Sequence, residues 1–336
     1  MHTSRPTVRS AVVMAFGIAA SMAVARPVRG QAQAPPGFVT EEVRVERSPG
    51  YLSGTLLVPA SVSTPPLVII IAGSGPTDRD GNSVGTLVRP NSLRLLAESL
   101  AVVGVASLRF DKRGVGGSRS SAIPESEMRF EMLASDVAAW IVRYTNDPRF
   151  TRVIVAGHSE GALLGLLALA EAPADGYVSI AGPARRADAV LHDQLAAQLP
   201  SPLLAAADSV LASLVAGRPF DTPPALLAAL FRTSVQPYLI SWLRYSGQTE
   251  LAKYGGPCLI VQGSNDFQVL PAEATMLVAA QASCQLMLVD GMNHVLKRTP
   301  APRAEQTKSY TDPELPLAPG LVDQIAEFVR HLPARR

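Results

Sequence analysis

The chain of 336 residues has only two cysteines, Cys258 and Cys284, and five histidines. No His/Cys/Asp cluster has metal-ligand spacing, so neither a structural nor a catalytic metal is expected. Charge is also scarce, at 17% of residues against 47% hydrophobic. That balance excludes a disordered chain and suits a sizeable buried core. The length allows one large domain with an insertion, or two ordinary ones. A polybasic patch is missing too. Four of the 30 basic residues (Arg5, Arg9, Arg26, Arg29) precede Gln31 with no acid among them, leaving 26 against 28 acidic residues. Neither nucleic acid nor an anionic membrane is implied as a partner.

A run long enough to span a membrane is absent as well. Residues 11–25 are uninterrupted apolar and small residues, 15 in all, short of the roughly 20 a spanning helix needs. With Arg5 and Arg9 ahead of it, this run reads as the core of a signal peptide. Cleavage is expected after Ala23-Val24-Ala25 or Ala32-Gln33-Ala34, so residues 1–34 form leader and linker, and the mature protein is periplasmic or secreted. No cysteine near these sites offers a lipid attachment point, and no adjacent arginine pair marks a twin-arginine signal.

Residues 39–48 alternate Val39, Val43 and Val45 with Glu42, Arg44 and Glu46, predicting a half-buried strand, with a hairpin partner at 51–58. Residues 67–72 are continuously apolar, as in a parallel strand covered on both faces. Similar runs occupy 102–108, 153–156, 178–181, 259–262 and 286–289. Helical patterns at 91–103, 130–144, 161–171 and 271–281 lie between most of them, and an amphipathic helix closes the chain at 321–332. The alternation predicts an α/β fold with a mostly parallel sheet flanked by helices. About 75 residues separate the strands ending at 181 and starting at 258, far more than a simple crossover needs. Residues 183–254 are therefore read as an inserted helical cap, and 38–182 with 255–334 as the core.

The sharpest motif is Gly157-His158-Ser159-Glu160-Gly161, between a buried strand and a helix of small residues. A nucleophile on such a strained turn needs very small neighbours two residues before and after, which Gly157 and Gly161 supply. The turn exposes the Ser159 hydroxyl and aims a helix N-terminus at a developing oxyanion. Its base is chosen by elimination. His2 lies in the leader, His331 on the terminal helix and His192 in the cap, and the His158 side chain is expected to point away from Ser159. His294 remains, in the loop after the last strand. Asp266, in the loop after the preceding strand, would orient it, and the order Ser159, Asp266, His294 is that of the nucleophile-elbow hydrolases. Asp290 and Asp188 are competitors for the acid. The oxyanion would meet the N–H of Glu160 and a second N–H from Gly73-Ser74-Gly75, with Ser74 the candidate.

These loops, together with Asp78-Arg79-Asp80-Gly81 and the segment from Arg109 to Ser118, resemble the α/β-hydrolase superfamily. They are most similar to bacterial esterases of the group containing dienelactone-hydrolase-like and serine aminopeptidase-like hydrolases. The resemblance runs over about 39–332 and is weakest in the cap. It implies an α/β-hydrolase fold, an oxyanion N–H on Ser74 and a structural loop at Asp111 to Ser118. Two departures stand out. Ala72-Gly73 replaces the His-Gly many relatives carry before the oxyanion donor, and Ser159 stands where dienelactone hydrolases have cysteine.

The leading expectation is a cofactor-free serine hydrolase acting on a small-molecule carboxylic ester through an acyl-enzyme. A serine peptidase or amidase with the same triad is the alternative, and a non-catalytic binding protein on this fold a third reading. An aminopeptidase would bind a free amine with cap acids, yet residues 183–254 hold five acids against six bases. The Leu-rich cap should line the substrate pocket, with Tyr238, Trp242 and Tyr245 either contributing to it or packing cap onto core. Cys258 and Cys284 precede neighbouring strands at similar depth, which leaves open a disulfide or two buried thiols.

Overall fold

A continuously apolar strand must be covered twice, and β3 (Leu67–Ile71) is. Its side chains alternate across the sheet: Leu67, Ile69 and Ile71 enter one apolar cluster, and Val68 and Ile70 enter another on the opposite face. The computed structural model describes residues 37–332, so the expected leader and its cleavage sites lie outside the described residues.

The chain opens with an antiparallel hairpin of β1 (Phe38–Glu46) and β2 (Tyr51–Pro59). β2 pairs antiparallel with β4 (Ala106–Phe110). The remaining strands run parallel: β5 (Val153–His158), β6 (Gly176–Ile180), β7 (Cys258–Gly263) and β8 (Gln285–Val289). The eight-stranded sheet has the order β1-β2-β4-β3-β5-β6-β7-β8. One face is covered by α1 (Ser92–Val102) and the terminal helix (Leu321–His331), the other by α2 (Phe130–Thr145) and α3 (Glu160–Glu171). The sheet is thus mostly parallel and flanked by helices, as expected.

Five helices lie between β6 and β7: α4 (Ala187–Ala196), α5 (Ser201–Val215), α6 (Ala228–Phe231), α7 (Gln236–Trp242) and α8 (Gly247–Lys253). Pro202 and Pro237 sit in the first turns of α5 and α7, where a missing N–H costs nothing. Leu191, Leu211, Leu214, Leu239 and Trp242 join the apolar cluster on the α2/α3 side. α9 (Pro271–Ala280) then connects β7 to β8. No helix among the described residues is long and apolar enough to cross a membrane.

Two strand expectations need correction. The run 102–108 is not one strand. Val102 ends α1, Gly104 turns at φ +83°, and β4 starts only at Ala106. β8 is not covered on both faces, because it is the sheet's edge: Leu286 and Leu288 are 48% and 58% exposed. The cysteine question is resolved. Leu259 lies opposite Gln285, and Cys258 and Cys284, one residue earlier on each side, form a disulfide with Cα atoms 4.6 Å apart.

Candidate active site

Because β3, β5, β7 and β8 are parallel, the loops that follow them open at one edge of the sheet, where ligands bind in open α/β sheets. Ser159 occupies the turn between β5 and α3 at φ 55°, ψ −124°, a strained conformation for a residue with a Cβ. The strain is enforced by packing. A Cβ on Gly157 would lie 2.1 Å from the Gly161 carbonyl oxygen, and one on Gly161 would lie 2.6 Å from that of Ile71. No larger side chain fits either position without moving backbone.

Asp266 and His294 are buried and joined by a 2.8 Å hydrogen bond from Nδ1 to Oδ2. A carboxylate only accepts, so Nδ1 carries the proton and Nε2 keeps a free lone pair. Asp266 Oδ1 also accepts the backbone N–H groups of Gln268 and Val269, at 2.8 and 3.0 Å. The two loops are knitted together by Ser264 N–H to Val289 O and Asn265 N–H to Met292 O, both 3.0 Å. The competing acids point elsewhere: Asp290 is exposed and pairs with Arg298, and Asp188 pairs with Arg186.

Ser159, His294, Ser74 and His158 share a cleft of about 100 Å³, walled further by Thr77, Ser83 and Tyr310. A smaller cavity of about 40 Å³ adjoins it, lined by Ser74, Ser159 and Glu160 and closed by Val190, Leu191 and Trp242. Ser74 and Ser159 thus border both, and Glu160 borders the smaller one. Among the described residues, neither the Ser74 nor the Glu160 backbone N–H donates to a backbone acceptor. Nor does a hydrogen bond join Ser159 Oγ to His294 among the described residues; the two share the cleft wall. No group of three or more His, Cys, Asp or Glu side chains among the described residues could hold a metal ion.

A model of the alpha/beta hydrolase family matches residues 68–305, well over half of the chain. The chain belongs to the alpha/beta hydrolase family. It is 25% identical over 268 residues to the esterase EstD of Thermotoga maritima, covering 78% of this chain and 61% of that protein. The chain therefore spans about three fifths of that relative's length. Among solved structures it resembles the alpha/beta hydrolase GrgF from Penicillium sp. sh18, at TM-score 0.57 and 18% identity over 88% of this chain and 99% of that one. It also resembles the Pyrococcus furiosus esterase Pf2001, at TM-score 0.56 and 19% identity over 88% and 92%. Est1E of Butyrivibrio proteoclasticus with ferulic acid bound matches at TM-score 0.54 and 18% identity over 86% and 96%. At these identities the structural likeness concerns the fold.

Within this alpha/beta hydrolase, three findings go beyond the sequence reading. His158 does not leave the site. Its Nε2–H donates to the His294 backbone carbonyl at 2.8 Å, and the two rings lie 4.9 Å apart. Desolvation and the neighbouring His294 lower its pKa to about 4, so it is neutral at ordinary pH. The aromatics on and just after α7 face different ways. Trp242 lines the small cavity, Tyr238 donates to Glu160 Oε2 at 2.8 Å, and Tyr245 turns to α2, where its hydroxyl donates to Glu131. Finally, the loop after β4 is more than structural filler. Lys112 from that loop is buried beside Ser74 and Glu160, donating to the Gly73 carbonyl at 2.5 Å. A lysine just past a buried strand is the only sequence signal for it.

Proposed function

We propose that the protein is an exported serine hydrolase that cleaves small-molecule carboxylic esters through an acyl-enzyme. What carries this reading is a strained Ser159 in one cleft with an Asp266-bound His294, beside two uncommitted N–H groups. Ser159 Oγ attacks the ester carbon while His294 Nε2 takes its proton, and Asp266 steadies the imidazolium. The N–H groups of Ser74 and Glu160 hold the carbonyl oxygen as it gains charge. His294 then returns the proton to the departing alcohol, and water repeats the attack on the acyl-enzyme to release the acid. Because the leaving oxygen must reach His294, the alcohol lies in the larger cleft and the acyl group in the 40 Å³ cavity. The aminopeptidase alternative needs a carboxylate free to meet an amine on the acyl side. Glu160 is the carboxylate among the described residues lining these cavities, and Lys112 and Tyr238 already engage it.

The Cys258–Cys284 bridge and the leader-like residues 1–34 support export to an oxidising compartment; N-terminal sequencing of the mature protein tests it, with a start at Met1 counting against it. For the chemistry, Ser159→Ala and His294→Ala should each remove p-nitrophenyl acetate hydrolysis by about 10⁴-fold or more with the circular dichroism spectrum unchanged. Wild-type protein, but not Ser159→Ala, should be labelled by a fluorophosphonate probe. More than a few per cent of wild-type turnover in either pure variant would overturn the assignment.

A further inference from the structure

Resting on the ester-hydrolase reading above, we infer that Lys112 is a positioning residue that polarises the Ser74 oxyanion donor and anchors the side chain of Glu160, which bears the other. The Gly73 carbonyl and the Ser74 N–H belong to a single peptide group. Lys112 Nζ donates to that carbonyl at 2.5 Å. Burial lowers the Lys112 pKa while the Glu160 carboxylate favours its charged form; a cation held there draws amide electrons toward the oxygen and leaves the N–H a stronger donor, the cooperative effect of linked hydrogen bonds. The same ammonium lies 3.5 Å from Glu160 Oε1, on the residue that supplies the other N–H. Tyr238 secures the second oxygen of that carboxylate from α7. Lys112 is 6% exposed and Glu160 2%, so little water screens these contacts.

Lys112 is itself placed firmly. Its neighbour Asp111 accepts the Arg79 backbone N–H at 2.8 Å and the Arg79 guanidinium at 2.8 and 3.0 Å. Arg79 lies on the loop that begins with Ser74, so the loop carrying the donor and the loop carrying the ammonium are fastened to each other.

The test compares Lys112→Met with Lys112→Gln, which is neutral but can still donate to the Gly73 carbonyl. Three quantities are measured: kcat and KM for p-nitrophenyl acetate, the Ki of a trifluoromethyl ketone, whose bound adduct puts an oxyanion in the same place, and Tm. The expected result is a kcat loss of about 30- to 100-fold in Lys112→Met and a smaller loss, still about fivefold or more, in Lys112→Gln. KM should stay within about twofold and Ki should rise by the same factor as kcat falls. A residue that only supports packing would lower Tm without that matching change in Ki. Should Lys112→Met fail to fold, Lys112→Gln decides alone. A kcat within threefold of wild type there, or a loss residing wholly in KM, overturns the inference. If wild-type protein lacks Ser159-dependent hydrolysis, the ester-hydrolase reading itself has failed, which is a separate outcome.

Discussion

His158 sits close enough to His294 that a proton on one ring would oppose a proton on the other. Its lowered pKa, about 4 against an ordinary 6.5, keeps it neutral beside His294. The same shift has a thermodynamic consequence. Between pH 6.5 and 4 the unfolded chain binds a proton at this ring that the folded chain refuses, so stability falls as pH drops through that window. His158→Gln should therefore show a shallower decline of Tm from pH 6.5 to 4 than wild type, and parallel declines would refute the role of this ring. Residues differ in how readable they are. Asp266 and His294 stand out because each follows a strand in the chain order the elbow motif demands. His158 and Lys112 do not, since their partners lie 136 and 39 residues away and only the folded sheet brings them close.

The helices between β6 and β7 shape what the site can accept. Trp242 at the end of α7 closes the smaller cavity while stacking on Phe130 of α2, with ring centroids 5.8 Å apart. A cavity of about 40 Å³ holds only a few heavy atoms, so acetyl and propionyl groups should fit and long chains should not. Replacing Trp242 by leucine should raise kcat/KM for p-nitrophenyl octanoate relative to the acetate by about tenfold or more. An unchanged ranking of chain lengths would show that Trp242 only joins α7 to α2. The run of helices between β6 and β7 was visible in the sequence as an overlong, Pro-punctuated interval. The direction of each aromatic was not, because α7 ends at Trp242: Tyr238 and Trp242 on it face Glu160 and the cavity, while Tyr245, past its end, turns to α2. The same limit explains the misread run at 102–108. Apolar residues at a helix end and at a strand start look alike, and Gly104 alone separates them.

Across the whole molecule, the sheet brings loops from distant parts of the chain to one edge and ties its far end with a disulfide. Apolar periodicity was enough to foresee the mostly parallel sheet. It could not tell which strand would be outermost, since β8 reads as apolar as the strands covered on both faces. The Cys258–Cys284 bridge closes a loop with a sequence separation of 26 and should contribute about 3 kcal/mol in the chain-entropy model. Replacing both cysteines by alanine should lower Tm by about 5–10 °C, with kcat at 25 °C unchanged. In that variant, ester turnover should vanish at lower temperature than the circular dichroism signal. Coincident curves would contradict this.

The reason lies in where His294 is carried. The loop bearing it follows β8, which has one hydrogen-bonded neighbour while β5, which bears Ser159, has two. Fraying starts at edges. A molecule that has shed only its last strand keeps Ser159, Ser74, Glu160 and most of its core, but has lost His294. Heat inactivation would then begin as a local and reversible event at one margin, and the half-life of activity would measure how often that margin opens rather than how often the protein unfolds.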